Sequence, residues 1–354
     1  MLNLYKMEQN NYTEFCKKIG EELLSNNPAL RPNSVKSYCG IVWRLIQGLE
    51  EANYNGQWVG NIPFVILKDY EAVCEYIIKL GKSDVTTKNY FSVVVSLIRG
   101  MAIDNPGICE EACAHYRKHH DTYIKKIGDK LKEQKPTEKE TFIETLNISL
   151  LKKGLKHHDK LLKTNPFDVE TAVLLFVGTL ATELCLRNEP STMVISNVYL
   201  DETEYPKTNY IWNKGRNKKI MIIRENKVRV GGVDPERRIE ITGTLNSVIN
   251  KYLRAYLYCD PSCDDDLNEG RTIPLIWKTK GDINENISGA GYCAMLKRVW
   301  AHMDIQMTST LIRKIFAIDI RKEHGGKMTE EIKACEKLDH SLSVHNASYV
   351  LFFE

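Results

Sequence analysis

The chain has 354 residues, of which 43% are hydrophobic and 27% charged, with a net charge of +3. That balance suits a soluble globular protein, and the length suits two domains better than one. The small positive charge is weak support for nucleic-acid binding. The longest apolar stretch, residues 172–186, carries Gly178, Thr179, Thr182 and Glu183. It is too short and too polar for a bilayer, which needs about 20 apolar residues, so a buried helix is expected there. The first residues, Met-Leu-Asn-Leu-Tyr-Lys-Met-Glu, lack the apolar core of a signal peptide, and an intracellular protein is expected.

The N-terminal part reads as helical. Asn33 or Ser34 caps a helix whose apolar residues recur at Val35, Tyr38, Val42, Leu45 and Leu49. Asp69 starts a second, with Val73, Ile77 and Leu80 on one side. Thr86 caps a third through Phe91, Val94, Leu97 and Ile98. These predict a helical bundle over residues 1–128. A polar, Lys-rich stretch with Pro136 follows, and residues 129–135 are expected to be a basic linker. The second domain, residues 136–354, opens with helix and an apolar run into Arg187. Short β-rich segments then appear at 194–200, 210–212, 220–223 and 238–242. Helices return at 245–257, 291–303, 308–320 and 329–338. The fold class is mainly α with a small antiparallel β-sheet, a helical N-terminal domain preceding a mixed α/β domain.

Basic residues cluster at Arg117, Lys118, Lys125, Lys126, Lys130, Lys132 and Lys135, and again over residues 214–229. Such patches can track phosphates, though a charge run is more often a solvated face. Ten cysteines scatter through periodic segments. Cys39, Cys74, Cys185 and Cys293 read as small core residues in a reducing compartment. Cys109 and Cys113 lie near His115, His119 and His120, and Cys259 and Cys263 beside an acidic loop. Neither pair fits a usual finger spacing, so no metal is expected.

The chemistry concentrates near the C-terminus. His340 precedes Tyr349 by nine residues, behind a Leu-Asp-His-Ser step. Arg187 follows the apolar helix in Leu-Cys-Leu-Arg-Asn-Glu, and Arg313 sits in Thr-Leu-Ile-Arg-Lys-Ile-Phe-Ala. A phosphodiester attacked by tyrosine gains negative charge on its non-bridging oxygens, which two guanidiniums can hold bidentately. A phenol with an intrinsic pKa of ~10 needs a base or a strong positive field before it attacks.

With these pieces in this order, the chain resembles the tyrosine recombinases, or phage-type integrases, over most of its length. The resemblance implies a helical DNA core-binding domain and a catalytic domain. It implies a site-specific recombinase that cuts and rejoins DNA through a covalent 3′-phosphotyrosine, with neither metal nor ATP and so no cofactor. Tyr349 would be the nucleophile, Arg187 and Arg313 would bind the phosphate, and His340 would contact the phosphate or help move the tyrosine proton. His345 would share a helical face with Tyr349 as a neighbour.

The family also uses a hairpin lysine as general acid. Lys214, in Asn-Lys-Gly-Arg-Asn-Lys-Lys, fits by local motif, and Lys227, between two predicted strands, fits by topology; the sequence favours Lys227 slightly. Two departures stand out. Thr310 occupies the place of the family's usual histidine three before Arg313, and Glu189 falls at plus two from Arg187 instead of plus three.

Implied partners are double-stranded DNA, clamped between the two domains, and other copies of the chain. A homotetramer is expected on paired sites and a monomer without DNA, with no membrane. The expected location is at DNA in a nucleus, nucleoid or viral replication site, and a mobile element or virus is the usual home. A telomere resolvase, a type IB topoisomerase-like enzyme and a catalytically inactive DNA-binding relative are the alternatives. The apolar residues after Tyr349 invite burial in this chain or in a partner.

Overall fold

The computed structural model describes residues 2–26, 30, 32–53, 67, 69–101, 106–133, 135–137, 140–225, 236–276, 286–349 and 351. The chain divides into two compact units, Met1–Glu133 and Gln134–Glu354.

The first unit is helical: α1 (Leu2–Asn26), α2 (Pro32–Asn53), α3 (Tyr70–Lys79), α4 (Asp84–Met101) and α5 (Pro106–Glu133). Its core joins Ile19 and Leu23, Val42 and Leu45, Val73 and Ile77, and Phe91, Val94 and Ile98. Asp69 caps α3 by accepting from the Ala72 amide at 3.2 Å. At α4 the capping hydroxyl belongs to Ser83, which accepts from the Thr86 amide, so the helix starts before Thr86. Residues 129–133, expected in a linker, form the end of α5. Lys130 and Lys132 occupy its last turn, where cations complement the helix dipole.

The second unit contains α6 (Ile148–Thr164), α7 (Val169–Leu184), β1 (Val194–Ser196), β2 (Tyr210–Asn213), β3 (Lys219–Ile223), β4 (Arg237–Ile241), α8 (Gly243–Cys259), α9 (Ser262–Asn268), β5 (Ile273–Pro274), α10 (Gly289–Val299), α11 (Ser309–His324), α12 (Met328–Leu338) and α13 (Leu342–Ser348). The apolar run before Arg187 is α7, buried from Val169 to Thr182 on nearly every side. Phe176 stacks on Tyr252 of α8 at 4.7 Å. Gly178 lets α6 and α10 close on α7, since a Cβ there would lie 2.5 Å from Leu155 and 2.6 Å from Val299.

The sheet order is β4-β3-β2-β1-β5. Three of its pairings are antiparallel, while β1 and β2 run parallel, so the sheet is mixed. The long connection over residues 197–209 replaces a tight hairpin and gives the chain room to return in the same direction. No helix among the described residues is long and apolar enough to cross a membrane.

Candidate active site

Two helix ends, the body of α11 and one short helix build the site. α7 terminates at Cys185, which takes a left-handed conformation with φ 52°. This turns the chain so that Arg187 follows two residues later. Asn188 is held from α11, where the Ser309 hydroxyl meets its side-chain oxygen at 3.3 Å. α12 ends in the same way at Asp339, φ 52°. The chain then restarts at α13, capped by the Ser341 hydroxyl, with Tyr349 at its C-terminal end. Arg321 of α11 ties these pieces together, donating to Glu331 of α12 at 2.6 Å and to Asn346 of α13 at 3.1 Å.

Arg313 lies at the centre and is 2% exposed. Its Nη1 donates to the Cys185 carbonyl at 2.7 Å and its Nη2 to the Leu338 carbonyl, so one guanidinium closes the C-termini of α7 and α12. Helix C-termini carry partial negative charge, which favours a cation there. Nη2 also meets His340 Nδ1 at 3.2 Å, and Nε donates to Tyr349 Oη at 3.2 Å. Arg187 reaches the same phenol oxygen from the other side, with Nη2 at 3.4 Å. His340 stacks on the Tyr349 ring at 4.7 Å, and its Nε2 meets His345 Nδ1 at 3.1 Å.

The electrostatics follow from this packing. Burial raises the Tyr349 pKa, but Arg313 and Arg187 together outweigh it and pull the phenol below its ordinary value. Burial first, then Arg313, His345 and Arg187, push His340 down to about 3, so its imidazole is neutral at physiological pH. Burial also lowers His345, against the opposing pull of Glu331. Burial lowers Arg313, yet a guanidinium stays charged.

Beside this cluster opens a cavity of about 1040 Å³ lined by Arg187, Arg237, Lys333, Lys337 and His340 among others. Glu336 and Asp339 also line it, but the four Arg and Lys residues outnumber these two carboxylates, a balance that suits an anionic ligand.

Arg187, Arg313, His340 and Tyr349 thus converge, and His345 joins them as a direct partner of His340. Lys214 does not line the cavity. It sits in the turn between β2 and β3, exposed, with its ammonium 4.1 Å from the centroid of the Trp212 ring. Lys227 lies outside the described residues. Thr310 is exposed in the first turn of α11.

Sequence reading missed Arg237, Lys333 and Lys337, whose positions in β4 and α12 look like ordinary surface charge. It also missed Lys219. That side chain is 1% exposed and donates to the carbonyls of Gly215 and Arg216 and to Asn246 and Asn250 of α8. It fastens the Lys214 turn to α8, and burial lowers its pKa. The signal was Asn246 and Asn250, four apart and so on one helical face, but nothing local ties them to Lys219.

No family profile and no curated protein matches the chain. Among solved structures it is similar to the XerA recombinase, with 12% identity, 95% of this chain and 94% of that one covered, and a TM-score of 0.36. It is also similar to the XerH site-specific recombinase in a pre-cleavage complex with its difH substrate. There the identity is 14%, with 93% of this chain and 91% of that one covered and a TM-score of 0.40. Likenesses at this level carry no weight for function, which has to be read from the site itself.

Proposed function

We propose that this chain is a DNA strand-breaking and rejoining enzyme of the tyrosine-recombinase type. The observation that carries this reading is the phenol oxygen of Tyr349 held between the guanidiniums of Arg187 and Arg313. A packing tyrosine needs one hydrogen-bond partner. Two cations on one buried phenol instead stabilise its phenolate, the form that attacks.

In this reading a DNA phosphate enters the cavity beside Arg187 and His340 and takes over guanidinium hydrogen bonds now made to Tyr349. Tyr349 Oη gives its proton to solvent, favoured by the two guanidiniums that lower its pKa, and attacks the phosphorus. The bond to the 5′ oxygen breaks, leaving a 3′-phosphotyrosine. The arginines hold the non-bridging oxygens as charge builds on them. His340, neutral, gives up its hydrogen bond to His345 and donates that one N–H to the phosphate. The leaving 5′ oxygen takes a proton from a lysine. Lys214 is the better candidate, because it stands in a hairpin turn that Lys219 fastens in place. The reverse attack by a 5′ hydroxyl rejoins DNA, since the bond energy is kept in the phosphotyrosine.

Duplex DNA is the proposed partner. Arg117, Lys118, Lys125 and Lys126 lie exposed along α5 and would add phosphate contacts. Binding should then weaken with salt, with a slope of about −0.9 per phosphate neutralised. Four copies on paired sites are the proposed assembly, which light scattering with and without DNA tests.

The enzymatic proposal is tested with a duplex nicked close to the cleavage site, whose short fragment diffuses away after attack. Wild-type protein should accumulate as a covalent complex resistant to denaturant. Tight DNA binding with no such complex would instead mark a catalytically inactive relative, as Thr310 in place of a histidine would allow.

A further inference from the structure

We propose that Cys335, His340 and His345 form a binding site for a soft divalent cation such as Zn²⁺, and that occupancy of this site switches off the tyrosine chemistry. The site stands on its own geometry; its inhibitory role rests on the functional reading above.

One ligand atom from each of the three residues lies within 4.8 Å of the other two. One thiolate and two imidazoles suit zinc, with an open fourth position for water. His340 Nε2 and His345 Nδ1 are already 3.1 Å apart, close to the roughly 3.4 Å that separates two nitrogens on a tetrahedral zinc. Cys335 and His340 line the large cavity, which provides an entry path. Cys335 is a free thiol, one turn before the end of α12.

The hydrogen-bond network fixes the tautomers, and these set what a metal would do. Arginine has only donors, so His340 Nδ1 must accept from Arg313. The single proton of neutral His340 is then on Nε2, from which it donates to His345 Nδ1. His345 consequently carries its own proton on Nε2, a buried atom with no hydrogen-bond partner among the described residues. Its Nδ1 lone pair, which now accepts from His340, is the one it can offer to the proposed ion.

Metal binding changes two protons. The Cys335 thiol loses its proton to solvent. His340 gives its Nε2 lone pair to the metal, so its proton moves to Nδ1. There it faces the Arg313 N–H, and a hydrogen bond becomes a donor-to-donor clash. A metal-bound His340 thus cannot keep its contact with Arg313, and it has no Nε2 proton to give to a phosphate. The metal-bound and cleavage-ready arrangements exclude each other.

The test uses the full-length chain stripped of metal and titrated with Co²⁺ as probe. One equivalent should bind with a thiolate-to-cobalt charge-transfer absorption, and Cys335→Ser should lose it. Cys335→Ala provides a second variant if serine is not tolerated. Absence of the band, or its persistence in both variants, overturns the site. In the nicked-DNA assay, one equivalent of Zn²⁺ should abolish covalent complex formation by wild type while Cys335→Ser, which keeps every group assigned to the chemistry, remains active. Equal trapping by zinc-loaded and metal-free wild type overturns the inhibitory role. If metal-free wild type never traps DNA, the functional reading itself fails, and the cobalt titration still decides the site.

Discussion

Arg313 donates Nε–H to Tyr349 Oη at 3.2 Å while its guanidinium carbon lies 5.0 Å from the centroid of the same ring. The residue that would steady the phosphate is therefore also the residue that positions and polarises the nucleophile. Its other donors close two helix ends at Cys185 and Leu338. Arg187, half-buried at the cavity edge, also donates to Tyr349 but closes neither helix end.

The two arginines should consequently fail in different ways. Arg313→Ala leaves two buried carbonyls without their donor and should cost about 2–5 kcal/mol of stability. Arg187→Ala should cost about 1 kcal/mol or less. Both should lose covalent complex formation. Thermal melts beside the nicked-DNA assay check this, and equal melting temperatures for the two variants would contradict the central role of Arg313.

The pH dependence has two parts. Tyr349 is active as the phenolate and its pKa is lowered, burial being outweighed by the arginines. Cleavage should therefore rise with pH and level off below the ordinary phenol pKa of about 10. Arg187→Lys, if active at all, should shift that rise upward. An unshifted profile would show that Arg187 does not act on the phenol.

Stability should respond to acid through His340, whose pKa falls from 6.5 to about 3 on folding. Between those values the unfolded chain binds more protons, so stability rises with pH across this window and levels off above 6.5. Melting temperatures of His340→Gln should fall less steeply on acidification than those of wild type. His345 and His158 also have lowered pKa values and will leave part of the slope in place.

The general acid can be found by changing the leaving group. A substrate with sulfur in place of the bridging 5′ oxygen expels a thiolate, which needs no proton. If Lys214 is the acid, Lys214→Ala should be slow on ordinary DNA and restored on the sulfur substrate, while Lys227→Ala should behave like wild type on both. The reverse pattern would move the role to Lys227.

Much of this site was legible in the sequence because its parts sit at the ends of strongly patterned helices. The apolar run of α7 announces where Arg187 emerges, and the step from His340 to Tyr349 spans one short helix. The hydrogen bond between His340 and His345 was not legible, since a shared helical face does not show which ring nitrogens meet. Nor was the closure of α7 and α12 by Arg313, because backbone carbonyls leave no trace in the sequence. The parallel pairing of β1 with β2 was hidden as well: short strands with the same alternation fit either direction, and the connection between them decides. The length of α5 was obscured by its lysines, which suit a solvated helix as well as a linker.

The most direct test of the account is to find which atom carries the DNA. Protein trapped on nicked duplex in excess EDTA is digested with protease, and the nucleotide-bearing peptide is sequenced by mass spectrometry. The account predicts a phosphodiester on Tyr349, formed without a divalent ion because arginines and a lysine supply the positive charge. It also predicts that Tyr349→Phe binds DNA normally and yields no adduct. An adduct on another residue, an adduct in Tyr349→Phe, or cleavage that requires magnesium would contradict it.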